Sequence, residues 1–185
     1  MFGKFNHWWH QWSPHYLGPD EDLKYPTRTV TIVGGRFQRR QDASILTAVE
    51  QQVYRSKPWN QAAFFSDLSR PRDRLYLLVT HDRQAVAYAG SSVNWFQYDM
   101  HITNIGVIPE FQSMGIGAMM LSELKSVAIT NDVKSMSLEV RKSNVGAQRL
   151  YHRLGFVSTG VNPDYYTNDR EDAIDMKMDL EDEGK

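Results

Sequence analysis

Two stretches of this 185-residue chain hold residue types able to do chemistry at useful spacings. The first is Asn104-Ile105-Gly106-Val107-Ile108-Pro109-Glu110-Phe111-Gln112-Ser113-Met114-Gly115-Ile116-Gly117-Ala118. A strand ends there, a proline stops it, and glycines stand where a helix begins. The first turn of a helix leaves N–H groups unpaired and carries partial positive charge. Glycines at that point let the backbone approach a phosphate closely. Gly115-x-Gly117 alone does not separate a packing turn from an anion site. A dinucleotide fold calls for a third glycine, where Met120 stands, and a P-loop calls for Gly-Lys-Ser/Thr, which is absent. A phosphate loop of another type remains.

The second stretch is a strand followed by a helix. From Lys134 to Arg141 the chain alternates, with Met136, Leu138 and Val140 on one face and Ser137, Glu139 and Arg141 on the other. Glu139 is thus a mid-strand carboxylate beside apolar neighbours, either ion-paired or chemically active. Ser143 is placed to cap the next helix, where Asn144, Gln148 and Tyr151 share a face and Leu150 and Leu154 form the adjoining apolar stripe. Seven helical residues span about 10.5 Å. That distance suits a polar group on the arm of a long cofactor and a phenol near its reactive end, while a core tyrosine is the simpler alternative.

The elements that must position these groups follow from the same patterns. Thr29–Val33 and Arg36–Arg40 read as two short strands around Gly34-Gly35. Asp42 is placed to cap a helix carrying Ile45, Leu46, Val49 and Val53, ended by Pro58. Asn60 opens a second helix through Phe64, Phe65 and Leu68. Residues 74–81 and 85–95 form a pair across Asp82-Arg83-Gln84, and His101–Ile108 is the strand that Pro109 stops. A helix runs from about Gly115 to Asn131, a strand over Ser135–Arg141, a helix over Ser143–Arg153, then strands over Val157–Val161 and Ala173–Asp179. The class is α+β or α/β, with one strand–loop–helix–strand crossover inside a mixed sheet.

Composition excludes several functions. The 21 basic and 22 acidic side chains leave a net charge of −1, and no basic stretch offers a duplex-binding footprint, so no direct nucleic-acid contact is expected. There is no cysteine, which removes disulfides, thiolate metal sites and cysteine nucleophiles. His7, His10 and His15 lie in an aromatic stretch with Trp8, Trp9 and Trp12 and are not read as a metal site. Apolar runs fall far short of the ~20 residues of a membrane span, and the N-terminal residues lack a signal-like apolar core. The expected compartment is the cytoplasm, with no membrane association. Residues 1–27 read as an aromatic-rich extension, 28–180 as the folded domain and 181–185 as an acidic tail.

Taken together, Val-x-Pro-x-Phe-Gln-x-x-Gly-x-Gly, Leu138-Glu139-Val140-Arg141, Ser143-Asn144 with Ala147, and Leu150-Tyr151-x-x-Leu154-Gly155-Phe156 resemble the GNAT acetyltransferases. Pro58-Trp59, Tyr165-Tyr166 and Glu171-Asp172-Ala173 are most similar to the RimI branch, which acetylates a ribosomal-protein alanine. The resemblance covers about residues 40–180 and is densest over 101–176. It implies the α+β GNAT fold, with a mostly antiparallel mixed sheet flanked by helices, and acetyl-CoA as cosubstrate without a metal. By the same resemblance, the backbone of Ile105, Gly106 and Val107 would pair with the pantetheine arm. Ser113, Met114, Gly115, Ile116, Gly117 and Ala118 would cradle the pyrophosphate, and Asn144 would hold the cofactor further along. Glu139 would be the general base, Tyr151 the general acid, and Tyr165 and Tyr166 would line the groove for the acceptor.

The implied acceptor is a protein or peptide N-terminus, a ribosomal protein's by resemblance, and the chain would act as a monomer or homodimer. Lysine side chains or a small-molecule amine are the alternatives, and a non-catalytic acyl-CoA-binding module is a third. One departure stands out: the family carries arginine or lysine at one or both positions held here by Ser113 and Met114. The diphosphate would then rely on backbone N–H groups and the helix dipole.

Overall fold

The computed structural model describes residues 26–27, 30–34, 40–54, 59–70, 73–82 and 84–180. The aromatic extension up to residue 25, Gly35, residues 36–39, Pro58, the three N-terminal histidines and the acidic tail lie outside the described residues. The rest groups into two compact units, one taking the chain up to Ser91 plus Asn104–Met120, the other Ser92–Thr103 and the chain from Leu121.

The first unit holds β1 (Pro26–Thr27), β2 (Val30–Gly34), β3 (Arg74–His81) and most of β4 (Gln84–Asn94). They are neighbours in that order, β2 meeting β3 antiparallel from Thr31↔Thr80 to Gly34↔Leu77. A turn at Asp82, with φ 47°, leads from β3 into β4, and a connection that short joins antiparallel neighbours. Two helices accompany these strands, α1 (Arg40–Val53) and α2 (Gln61–Leu68), packed on each other. Asn60 caps α2 as its type predicts, its side-chain oxygen accepting from the Ala63 N–H at 2.9 Å. Asp42 does not cap α1: the helix already begins at Arg40, which is therefore not strand, and Asp42 sits in the first turn, where the helix dipole favours a carboxylate. Leu46, Val49, Phe64, Leu75, Val79 and Tyr88 are buried and form this unit's core.

Strand β5 (Asp99–Val107) follows β4 as its sheet neighbour and passes between the units at Thr103/Asn104. After a turn of 3₁₀ helix at Pro109–Phe111 comes α3 (Ile116–Thr130), whose buried Met120, Leu121, Leu124, Val127 and Ala128 recur at helical spacing. The second unit continues with β6 (Ser135–Arg141), α4 (Val145–Arg153), β7 (Val157–Tyr166) and β8 (Glu171–Asp179), in the sheet order β5-β6-β8-β7. β6 lies parallel to β5, reached through the α3 crossover, whereas β6/β8 and β8/β7 are antiparallel. The sheet is thus mixed and mostly antiparallel, as expected. β7 runs five residues past the expected Val161, to Tyr166, because Tyr166 pairs back onto the start of β8 at Glu171.

Candidate active site

Within the first unit, the loop between β5 and α3 leads through a tight turn into the N-terminus of a long helix. Ser113 and Gly115 both take left-handed conformations, φ 62° and 86°, before α3 begins at Ile116. A Cβ at Gly115 would meet nothing within 4 Å, so the glycine is required for its backbone angle at the start of a 15-residue helix and not for want of space. Ile116 is buried and anchors the turn, while Ser113 and Met114 are exposed. Gln112 steadies the loop by donating from Nε2 to the Val107 carbonyl at 3.0 Å. Just upstream, Gly106 is packed beneath Tyr88 and Val53, and the Ile105 carbonyl accepts from the Tyr54 hydroxyl at 3.0 Å.

Within the second unit, one face of the sheet is polar. The parallel register sets Asp99 beside Ser135 and His101 beside Ser137, and the antiparallel register sets Glu139 opposite Asp175. Glu139 Oε2 lies 3.2 Å from His101 Nε2 and accepts from the Tyr165 hydroxyl at 3.3 Å. The hydrogen bond from His101 holds the Glu139 carboxyl below its ordinary range, against the opposing effect of burial. Tyr165 moves the other way, up to about 12, from burial and then the nearby Glu139 charge. Asp175 Oδ1 is buried and has no hydrogen-bond partner among the described residues.

α4 is capped by Asn144, not Ser143. The Asn144 Oδ1 accepts from the Ala147 N–H at 3.1 Å. Ser143 is drawn elsewhere: its N–H donates to Glu171 at 2.7 Å, and the same carboxylate takes the Arg141 guanidinium at 2.6 Å. Those bonds, Ser143's first, hold Glu171 down to about 2. Lys142 pairs with Asp172 at 3.0 Å, and Ala173 is fully buried, so Glu171-Asp172-Ala173 clamps the β6–α4 turn. Gln148 is occupied with the carbonyls of Arg141 and Lys142. Tyr151 is buried edge-on to Phe156, and burial, with Tyr166 as the lesser cause, pushes its hydroxyl up to about 12. Tyr166 lies under the Arg141 guanidinium, 3.9 Å from the ring centre, and edge-on to Tyr165.

Residues 43–156 match the Acetyltransferase (GNAT) family. The chain belongs to the GNAT acetyltransferases. It is similar to the [ribosomal protein bS18]-alanine N-acetyltransferase of Salmonella typhimurium, at 34% identity over 71% of this chain and 87% of that protein. It is also 35% identical to the N-alpha-acetyltransferase RimI of Mycobacterium tuberculosis, over 76% of this chain and 88% of the other. Among solved structures, the ribosomal-protein-S18-alanine N-acetyltransferase of Escherichia coli superposes with a TM-score of 0.73 at 29% identity, covering 84% of this chain and 97% of that one. This GNAT protein is an acetyl-CoA-dependent N-acetyltransferase.

The structure brings Glu139 and Tyr165 into direct contact and puts Tyr151 and Tyr166 within electrostatic reach of each other in the same unit. It also sets His101 against Glu139, with Ser137, Asp99 and Asp175 on the same polar face, and the sequence pattern alone marked none of these four as a site residue. Alternation in β5 was the available signal, since Asp99 and His101 share a face opposite Met100 and Ile102. Which residues stand opposite them is set by the β5/β6 register across a 36-residue gap, and that register is not readable from local pattern.

Proposed function

We propose that this acetyltransferase moves the acetyl group of acetyl-CoA onto the α-amine of a protein N-terminus, with a ribosomal protein as acceptor. The acceptor reading draws on the names of the relatives and on the paired tyrosines at the end of β7. The observation that carries the mechanism is the Glu139 carboxylate set between His101 and Tyr165. An α-amine, with a pKa near 7.7–8.0, is about one-tenth neutral at pH 7, whereas a lysine amine near 10.4 is about 0.04% neutral. A single carboxylate, acting directly or through one water, suffices for the former.

Glu139 accepts a proton from the acceptor ammonium, and the freed amine attacks the thioester carbonyl. The Ile105–Val107 backbone aligns the pantetheine arm, and the Ser113–Ala118 turn holds the diphosphate. Tyr151, at about 12, stands roughly 5 kcal/mol uphill of full proton transfer to a thiolate whose acid has pKa near 8.5. Its contribution is a hydrogen bond that stabilises the departing sulfur. Tyr165 and Tyr166 line the path of the acceptor chain.

Free-thiol release from acetyl-CoA, measured with peptides beginning Ala, Ser or Met and with an N-terminally blocked peptide carrying an internal lysine, tests the reading. Turnover with the free N-termini alone is expected. Release with the blocked peptide would assign the enzyme to side-chain amines, and release with none would remove the protein acceptor. Glu139→Gln should abolish most of the turnover; unchanged turnover would remove Glu139 as base.

A further inference from the structure

The polar face of β5 and β6 carries a chain of hydrogen bonds leading away from Glu139. Asp99 accepts from the Ser135 hydroxyl at 2.6 Å and from the Ser137 hydroxyl at 2.5 Å. An ionised carboxylate only accepts, so the single hydroxyl proton of Ser137 is committed to Asp99. Ser137 Oγ therefore meets His101 Nδ1, 3.1 Å away, as an acceptor, and Nδ1 carries the N–H. That leaves Nε2 facing Glu139 Oε2 at 3.2 Å. In the neutral ring this nitrogen is a lone pair, and two acceptors so close are held together only by a proton between them.

We propose that Asp99 and Ser137 are positioning residues that pin His101 as the Nδ1–H tautomer, so that His101 Nε2 and Glu139 Oε2 share one proton and serve as one base. The inference rests on Glu139 being the base proposed above. With the shared proton gone, the pair takes one from the acceptor ammonium: an N–H bond breaks, its electron pair stays on nitrogen for attack, and the proton settles between Glu139 and His101. It leaves to water from the His101 ring, which is 31% exposed. One ammonium proton becomes one solvent proton. The charged and titratable groups facing the pair are Asp99 from β5, Tyr165 and Tyr166 from β7, and Asp175 and Lys177 from β8, opposite Glu139 and Ser137 respectively. A coupled pair titrates as a unit, and removing the ring leaves a lone carboxylate as the base.

Two measurements test this. Imidazole ¹⁵N NMR of the unmodified protein at alkaline pH should show the His101 ring protonated on Nδ1; a ring protonated on Nε2 would overturn the proposal. The pH dependence of kcat with an N-terminal peptide and saturating acetyl-CoA should show an acid limb that moves down by at least one pH unit in His101→Asn, and by less in Ser137→Ala. A histidine that merely props up Glu139 would lower kcat and leave that limb in place, which would equally overturn it. Full turnover in Glu139→Gln would instead sink the base assignment, and the NMR result would still report the tautomer.

Discussion

At the scale of single residues, burial decides what Tyr151 does. A hydroxyl pushed up to about 12 holds its proton, so in the proposed mechanism it would act on a leaving sulfur by hydrogen bonding. Tyr151→Phe is expected to lower kcat about 100-fold, as for the loss of one preorganised donor, with KM for acetyl-CoA little changed in steady-state assays. Glu50 illustrates a different use of a buried carboxylate. It accepts from the Tyr88 hydroxyl and from the Trp59 N–H at 3.1 Å, and burial holds its carboxyl above the ordinary range. Removing the hydroxyl strands a buried acceptor, so Tyr88→Phe should cost about 1–3 kcal/mol in denaturant unfolding. The places of Glu139 on a strand and Tyr151 on a helix were legible in the sequence, because the strand alternates around one and a helical pattern surrounds the other. His101 was not: a lone histidine in an alternating strand gains meaning only from Ser137 and Glu139, which a parallel register brings beside it.

Elements carry the cofactor side of the chemistry. The turn before α3 depends on backbone angle at Gly115, where space is open but φ is 86°. Gly115→Ala should therefore destabilise by about 1–2 kcal/mol through the left-handed penalty alone, and calorimetry should show weaker binding of CoA as the N–H groups lose their aim. Strand and helix interiors followed from periodicity, with β6 read to the residue. Ends did not. Ser143 has the residue type of a cap, yet a carboxylate from β8, 28 residues on, takes its N–H, and Asn144 assumes the role. Likewise Arg40 has the look of a strand end, but Asp42 two residues later favours a helical first turn. In both cases the deciding contact or dipole overrode a local preference.

For the molecule as a whole, the acidic residues set the response to pH. Glu139 and Glu171 are both held below their ordinary range, so each contributes stability that is present above the unfolded value and lost as pH falls through the folded one. For Glu171 that window runs from about 4.5 to about 2. Glu50 has the opposite sign, since its folded carboxyl is raised, and it favours the folded state in acid. Melting temperature should accordingly fall between pH 5 and pH 2, and Glu171→Gln should fall less steeply across that window. The mixed sheet and its crossover were visible from the order of elements, because a strand, a glycine turn and a long apolar helix leave few ways to return to the same sheet.

The opposed carboxylates of β6 and β8 have a consequence for the release of product. Asp99, Glu139 and Asp175 stand on one surface with Lys177 between them, and Lys177 already leans 3.8 Å from Asp179. Such a surface attracts a cation. If the proposed acceptor binds there, an amine would arrive as a cation and depart as a neutral amide, so the reaction would erase the charge that held its acceptor, and the product would be let go by the same electrostatics that drew the reactant in.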